Sequence, residues 1–246
     1  MKPDKQKSQE CSKRVVYVNG HYVAETEASI SIFDSAAMFG DLVFEMTRSF
    51  NRRQFKLREH LERLFRSAKM LQIPFPMSID EMAKIVEEVV ERNRPCMDAD
   101  DEDRVMINLS RGILSLYHPI FGGDPGPTLI VSSFPLSLTL AAFAGIYDQG
   151  IHAVIPSQRA IPADLLDPKI KNRSRLHYMT ANLQVSQVPD PLACGRFFSI
   201  PMVLSLKAQE LIFSLSQAVS FGHRSLATFY AALPAPIRWR LQTNLD

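Results

Sequence analysis

Two basic side chains stand out by their surroundings. Arg63 lies in His60-Leu61-Glu62-Arg63-Leu64. Leu61 and Leu64 belong to an apolar helical stripe, so Arg63 flanks a buried face and can point a planar, permanently charged fork at an anion. The plain alternative is a surface arginine paired with Glu62 or another neighbour. Lys171 lies in Asp167-Pro168-Lys169-Ile170-Lys171-Asn172-Arg173-Ser174-Arg175-Leu176, just before a helix-like stretch. Clustered cations favour a neutral amine, the form in which a lysine attacks a carbonyl and makes a Schiff base. The plain alternative is a solvated basic turn. The six histidines are scattered without metal-ligand spacing, so no metal site is expected. Cys11, Cys96 and Cys194 lie far apart and lack CxxC spacing, which speaks against a disulfide framework and a thiolate zinc site. Neither a G-x-S-x-G elbow nor a phosphate-cradling glycine loop occurs.

The elements that must position these groups are legible in part. Val15–Val18, Asn19-Gly20 and Tyr22-Val23 predict a hairpin, because a type I′ turn needs two residues at positive φ. Met46–Phe50, a polar turn over Asn51-Arg52-Arg53-Gln54, and Phe55–Leu57 predict a second. Leu57, Leu61, Leu64, Ala68 and Leu71 then recur at helical spacing, and Pro74 and Pro76 close that helix. Ser78 and Glu81 form a capping box, with Met77 and Met82 as the staple, ahead of an Ile85, Val86, Val89, Val90 stripe. Asp98–Asp103 reads as a solvated acidic loop, Arg104–Leu109 as a strand, and Gly122–Pro127 as an interdomain linker. Beyond it, Thr128–Val131 and Gly150–Ile155 read as strands and Ser174–Val185 as a helix.

Composition sets the class. The 246 residues are 46% hydrophobic and 22% charged, with a net charge of +2, ordinary globular values that give no reason to expect nucleic acid as a partner. No stretch approaches the roughly 18 uncharged apolar residues of a membrane helix. Residues 1–13 read as a disordered polar tail without the apolar core of a secretory signal. A cytoplasmic enzyme is the expectation. From Gly195 the character changes: residues 195–246 carry only seven Asp, Glu, Lys or Arg, and their dense serines and leucines keep no strand or helix period.

Taken together the motifs are more specific. Val18-Asn19-Gly20, Ser31-Ile32-Phe33-Asp34, Phe39-Gly40-Asp41-Leu42-Val43-Phe44-Glu45, Phe55-Lys56-Leu57 and Glu59-His60-Leu61-Glu62-Arg63-Leu64 follow in order. With the Lys171 segment, residues 14–193 resemble the fold-type IV, or class IV, pyridoxal-phosphate aminotransferases. That family includes branched-chain aminotransferase, D-amino-acid aminotransferase and aminodeoxychorismate lyase. The resemblance implies a two-domain α+β fold: a small N-terminal α+β domain over 14–121, and a larger β-rich C-terminal domain beginning at 128–194 and incomplete here. It implies pyridoxal 5'-phosphate as cofactor, amino acid and 2-oxo acid substrates, and a homodimer. By the same resemblance Arg63 binds the cofactor phosphate. Lys171, which keeps the family spacing to Arg175-Leu176 better than Lys169 does, is the catalytic Schiff-base lysine. Phe44 and Glu45 match the substrate pocket wall, and Arg111 in Leu109-Ser110-Arg111-Gly112 matches an arginine that grips a substrate carboxylate.

The family's Asp-Gly-x-Val-x-Glu hairpin, whose glutamate holds the pyridine nitrogen, is missing after Lys171. A one-base slip near Cys194 accounts for this. Read from the third base of each codon, Ser199–Phe213 is compatible with Asp-Thr-Asp-Gly-Phe-Val-Thr-Glu-Ser-Ala-Gly-Ala-Asn-Phe. Its glycine is obligatory, because the codons of Met202 and Val203, ATG-GTN, contain GGT. On this reading residues 195–246 do not form the family's C-terminal half, and the natural homologue runs on past 246.

Overall fold

The structure is a computed structural model that describes residues 14–141, 156–159 and 161–187. Contacts divide the chain into two units, 1–138 with 162–174, and 139–161 with 175–246. The expected Gly150–Ile155 strand, the N-terminal tail and the 195–246 segment lie outside the described residues.

In the first unit, β1 (Val15–Val18), β2 (His21–Ala24), β3 (Leu42–Phe50), β4 (Arg53–Gln54), β5 (Asp103–Ser110) and β6 (Thr128–Pro135) form one antiparallel sheet. Its order is β2-β1-β6-β5-β3-β4. Asn19 and Gly20, at φ 47° and 96°, turn β1 into β2 as the hairpin rule requires. The second hairpin turns on two residues rather than four: Asn51 and Arg52 take φ 49° and 61°, while Arg53-Gln54 already pair with Phe50 and Ser49.

Side chains alternate across a strand, so directly opposed residues share a face. Val43, Glu45 and Thr47 on β3 stand opposite Leu109, Ile107 and Val105 on β5. Against that face pack α2 (Leu57–Met70) and α3 (Ile79–Asn93), following α1 (Ser35–Phe39). Leu61, Leu64, Met82, Val86 and Val89 have no exposed surface and form the core with the strand residues. Each such side chain contributes about 1.5–3 kcal/mol relative to exposure. The capping box is present: the Ser78 hydroxyl accepts from Glu81 N while the Glu81 carboxylate accepts from Ser78 N. Asn93, wholly buried at the end of α3, accepts from Val15 N at 2.7 Å and donates to Val15 O at 2.9 Å, which fastens the helix to β1.

The domain boundary differs from the one read in the sequence. β6 lies inside the sheet, between β1 and β5, so 122–127 is a loop within the first unit rather than an interdomain linker. Thr128–Pro135 alternates half-buried and buried residues, the signature of a strand with one face on a core. The glycines before it serve turn geometry, with Gly122 and Gly126 at φ 74° and 81°. The acidic segment also differs. Glu102 accepts from the backbone N–H groups of Asn51 and Arg52 and from the Ser49 hydroxyl, and Asp103 is buried. Glu102 thus holds the β3–β4 turn and Asp103 accepts from the Ser133 hydroxyl on β6, while Asp98 and Asp100 stand exposed as expected.

In the second unit, α4 (Leu176–Ser186) realises the expected helix. Gln184 on it accepts from the Ser157 hydroxyl and from Gln158 N, at 3.2 and 3.1 Å.

Candidate active site

The site is built on β3. One of its edges pairs with β5. Along the other edge runs the short segment 171–173, which has arrived from far along the chain. Phe44 N donates to Lys171 O at 3.0 Å, and Arg173 N donates to Leu42 O at 2.9 Å. Ile170 sits in the core, and Lys171 N donates to the Ser67 hydroxyl of α2 at 3.2 Å. Strand pairing and a helix hydroxyl thus fix where the lysine side chain begins.

Glu45 is the hub. It faces the helices, has no exposed surface, and collects three basic groups on one carboxylate. Lys171 Nζ donates to Oε2 at 2.9 Å. His60 Nδ1 lies 2.8 Å from the same oxygen, so Nδ1 carries a proton and Nε2 points away. Arg63 is bidentate, Nη2 to Oε2 at 2.8 Å and Nε to Oε1. His60 and Arg63 share a face because they lie three apart on α2. Burial pushes the Glu45 carboxyl up, but hydrogen bonds from Arg63, His60 and Lys171 outweigh it and hold the value at about 2. Glu45 in turn raises the Arg63 guanidinium above its ordinary value.

Arg63 spends only its Nε and Nη2 side on Glu45, and 44% of its side chain remains exposed. Its outer edge is open to a further anion. Lys171 is 26% exposed. A guanidinium and a primary amine held on one buried carboxylate suit a ligand that carries both an anionic group and an electrophilic carbon.

The other face of β3 carries Phe44. Its ring centroid lies 5.1 Å from Lys171 Nζ and 4.2 Å from Arg173 Cζ. Arg173 also donates through Nε to Asn108 Oδ1 at 3.0 Å.

Of the residues expected from the sequence, Lys171, Arg63, Glu45 and Phe44 come together. Two of the expected substrate contacts are placed otherwise. Glu45 is no open pocket wall: it follows Phe44 on a strand, so it points to the opposite face, where its carboxylate is taken by Arg63, Lys171 and His60. Arg111 does not stand ready for a substrate carboxylate either. Its Nε donates to Asp41 at 2.8 Å, and its two terminal nitrogens donate to the carbonyls of Gln72 and Leu71 at 2.9 and 2.8 Å. It locks the end of α2 to the start of β3. Sequence reasoning assigned no role to His60 or Arg173. The signals were spacing alone: three before Arg63 on a helix, and two after Lys171 in an extended segment.

Among the described residues no group of His, Cys, Asp and Glu is placed to hold a metal ion, and no helix is long and apolar enough to cross a membrane.

The amino-transferase class IV family matches residues 42–188. A Methanocaldococcus jannaschii protein, provisionally named a branched-chain-amino-acid aminotransferase, is 33% identical over 175 residues, covering 70% of this chain and 55% of that protein. The chain therefore spans about half the length of that relative. Two solved structures share the fold. The branched-chain aminotransferase of Thermoproteus uzoniensis with norvaline has a TM-score of 0.55 at 23% identity, over 69% of this chain and 55% of that one. A hypothetical aminotransferase from Mycobacterium tuberculosis, in its PLP-bound form, has a TM-score of 0.55 at 23% identity, over 70% and 58%.

Proposed function

The chain belongs to the class IV aminotransferase family, and on that premise we propose that it is built for pyridoxal-phosphate-dependent transfer of an amino group from an amino acid, of branched-chain type, to a 2-oxo acid. The observation that carries the reading is the meeting of Arg63 and Lys171 on the buried carboxylate of Glu45. The donor set fits the cofactor. The open edge of Arg63 suits a dianionic phosphate, and Lys171 supplies the amine that bonds an aldehyde carbon. Bound there, the cofactor supplies an electron sink for the pair left when a substrate loses its α-proton. The protein's part is orientation and proton handling. Arg63 fixes the anionic end, Phe44 offers an apolar wall, and Lys171 Nζ, once released from Glu45, takes and returns the proton.

The test is direct. Mixing the chain with pyridoxal phosphate should produce the visible absorbance of a lysine-bound cofactor. Borohydride should then fix the label on the peptide carrying Lys171, and Lys171→Ala should abolish both. Label on Lys169, or unchanged absorbance in the variant, would refute the assignment. Activity with 2-oxoglutarate and a branched-chain amino acid separates transamination from the lyase chemistry of the same family, in which aminodeoxychorismate yields pyruvate.

The proposed enzyme is a cytoplasmic homodimer. Widely spaced cysteines support the compartment. The dimer is supported by Ile32, Phe39, Leu116 and Ile120, all at least 67% exposed, on two segments joined through Ser35 N–Gly112 O and Leu114 N–Phe33 O hydrogen bonds. The proposed one-base slip near Cys194 is supported by the family match ending at residue 188, ahead of the altered stretch. Resequencing the source DNA over codons 190–215 decides it. A one-base difference restores the glutamate hairpin, and a confirmed frame predicts feeble turnover or none.

A further inference from the structure

We infer that Arg173 is the group that grips the carboxylate of the amino acid or 2-oxo acid proposed above. The inference rests on Lys171 being the reactive amine. Residues 171–173 run extended along β3, so the side chains of Lys171 and Arg173 leave on the same side. Both cations reach one ring: Lys171 Nζ lies 5.1 Å and Arg173 Cζ 4.2 Å from the Phe44 centroid. The two are therefore no farther apart than the sum of those distances. A carboxylate bound to a guanidinium, plus the bonds to its α-substituent, fills a span of that order.

The guanidinium is aimed rather than loose. Its Cζ lies over the Phe44 ring, Nε donates to Asn108 Oδ1 at 3.0 Å, and Nη2 contacts Met106 Sδ. Asn108 and Met106 stand opposite Phe44 and Met46 on the neighbouring strand, so one strand pair presents the whole arrangement. A planar fork held in this way matches the two oxygens of a carboxylate far better than an ammonium would. Phe44 and Met106 give the same place an apolar lining, which favours an aliphatic side chain. Arg111, the other arginine expected to serve, has its Nε on Asp41 and both terminal nitrogens on backbone carbonyls.

The experiment is calorimetric titration of the full chain with 4-methyl-2-oxopentanoate, with and without pyridoxal phosphate, repeated for Arg173→Met and Arg173→Lys. Cofactor loading is followed separately by visible absorbance. The expected result is a Kd raised about tenfold or more in Arg173→Met and by less in Arg173→Lys, with cofactor absorbance unchanged in both. Equal affinity in wild type and Arg173→Met, or no binding by wild type, overturns the inference. Should Arg173→Met fail to fold, Arg173→Lys decides: unchanged affinity overturns the inference, and weakened affinity supports it. A chain that takes no cofactor but still loses oxo-acid affinity in the variants refutes the cofactor assignment and leaves the role of Arg173 supported.

Discussion

At the scale of single residues, Glu45 has the largest electrostatic consequence. Its carboxyl is held at about 2, against an ordinary 4.5, so between those values the unfolded chain binds a proton that the native state does not. The resulting stabilisation is complete above about 4.5 and is lost as pH falls from there towards 2. The full difference corresponds to about 3 kcal/mol. Glu45→Gln should therefore lower the unfolding free energy near neutral pH by about that much or more, read from urea melts, since it leaves Arg63 and Lys171 around a neutral amide. It should also flatten the dependence of the midpoint on pH across the acid window. A variant that keeps the wild-type acid slope would show that another group carries it. Arg63 and Lys171 were legible in the sequence because each sits in a motif whose order and spacing are distinctive. The task of Glu45 was not. A glutamate in an apolar run looks the same whether it lines a pocket or is buried under a helix, and only the strand's alternation, fixed by pairing with β5, decides. The partners of Arg111 are not legible for a related reason: a motif names a residue type, while Asp41 and the carbonyls of Leu71 and Gln72 that it meets come from distant parts of the chain.

At the scale of elements, the capped helix and the first hairpin, whose signals are local, match the sequence reading, whereas the second hairpin is shifted, its return strand being Arg53–Gln54 rather than Phe55–Leu57. The Ser78–Glu81 box and the Asn19-Gly20 turn depend on residues within a few positions. The 122–127 loop was misread because glycine and proline mark a turn without saying whether it joins two domains or two strands. Gly112 shows what such a loop demands. It takes φ +90°, and a side chain there would collide with the carbonyl of Gly126. Gly112→Ala should thus strain the backbone and force apart the passages that leave β5 and enter β6. The expected outcome is a loss of several kcal/mol, seen as a melting point lowered by well over 5 °C, since the site of added bulk is backbone. A variant melting with the wild type would mean that this crossing is loose.

At the scale of the whole molecule, the lysine and its hub are 126 residues apart in sequence. Three attachments hold them together: the pairing of 171–173 with β3, the Ser67 hydroxyl, and the ion pair itself. Amide exchange should report this. In Glu45→Gln the protected amides of Phe44 and Arg173 should exchange faster, while those within the β5–β6 ladder lose only what global destabilisation takes from them. Uniform acceleration everywhere would mean that the segment has no local opening of its own.

The same long separation has a consequence during synthesis. β3 and α2 leave the ribosome together, and Glu45 meets His60 and Arg63 within 18 residues, so its negative charge has company early. Lys171 can reach it only after β5 and β6 have emerged and a long loop has closed. Until then the sheet edge beside Phe44 is unpaired, a ribbon of free amides and carbonyls open to any passing strand. The nascent chain thus brings the Lys171 amine to Glu45 late, as the same stretch of backbone covers the edge.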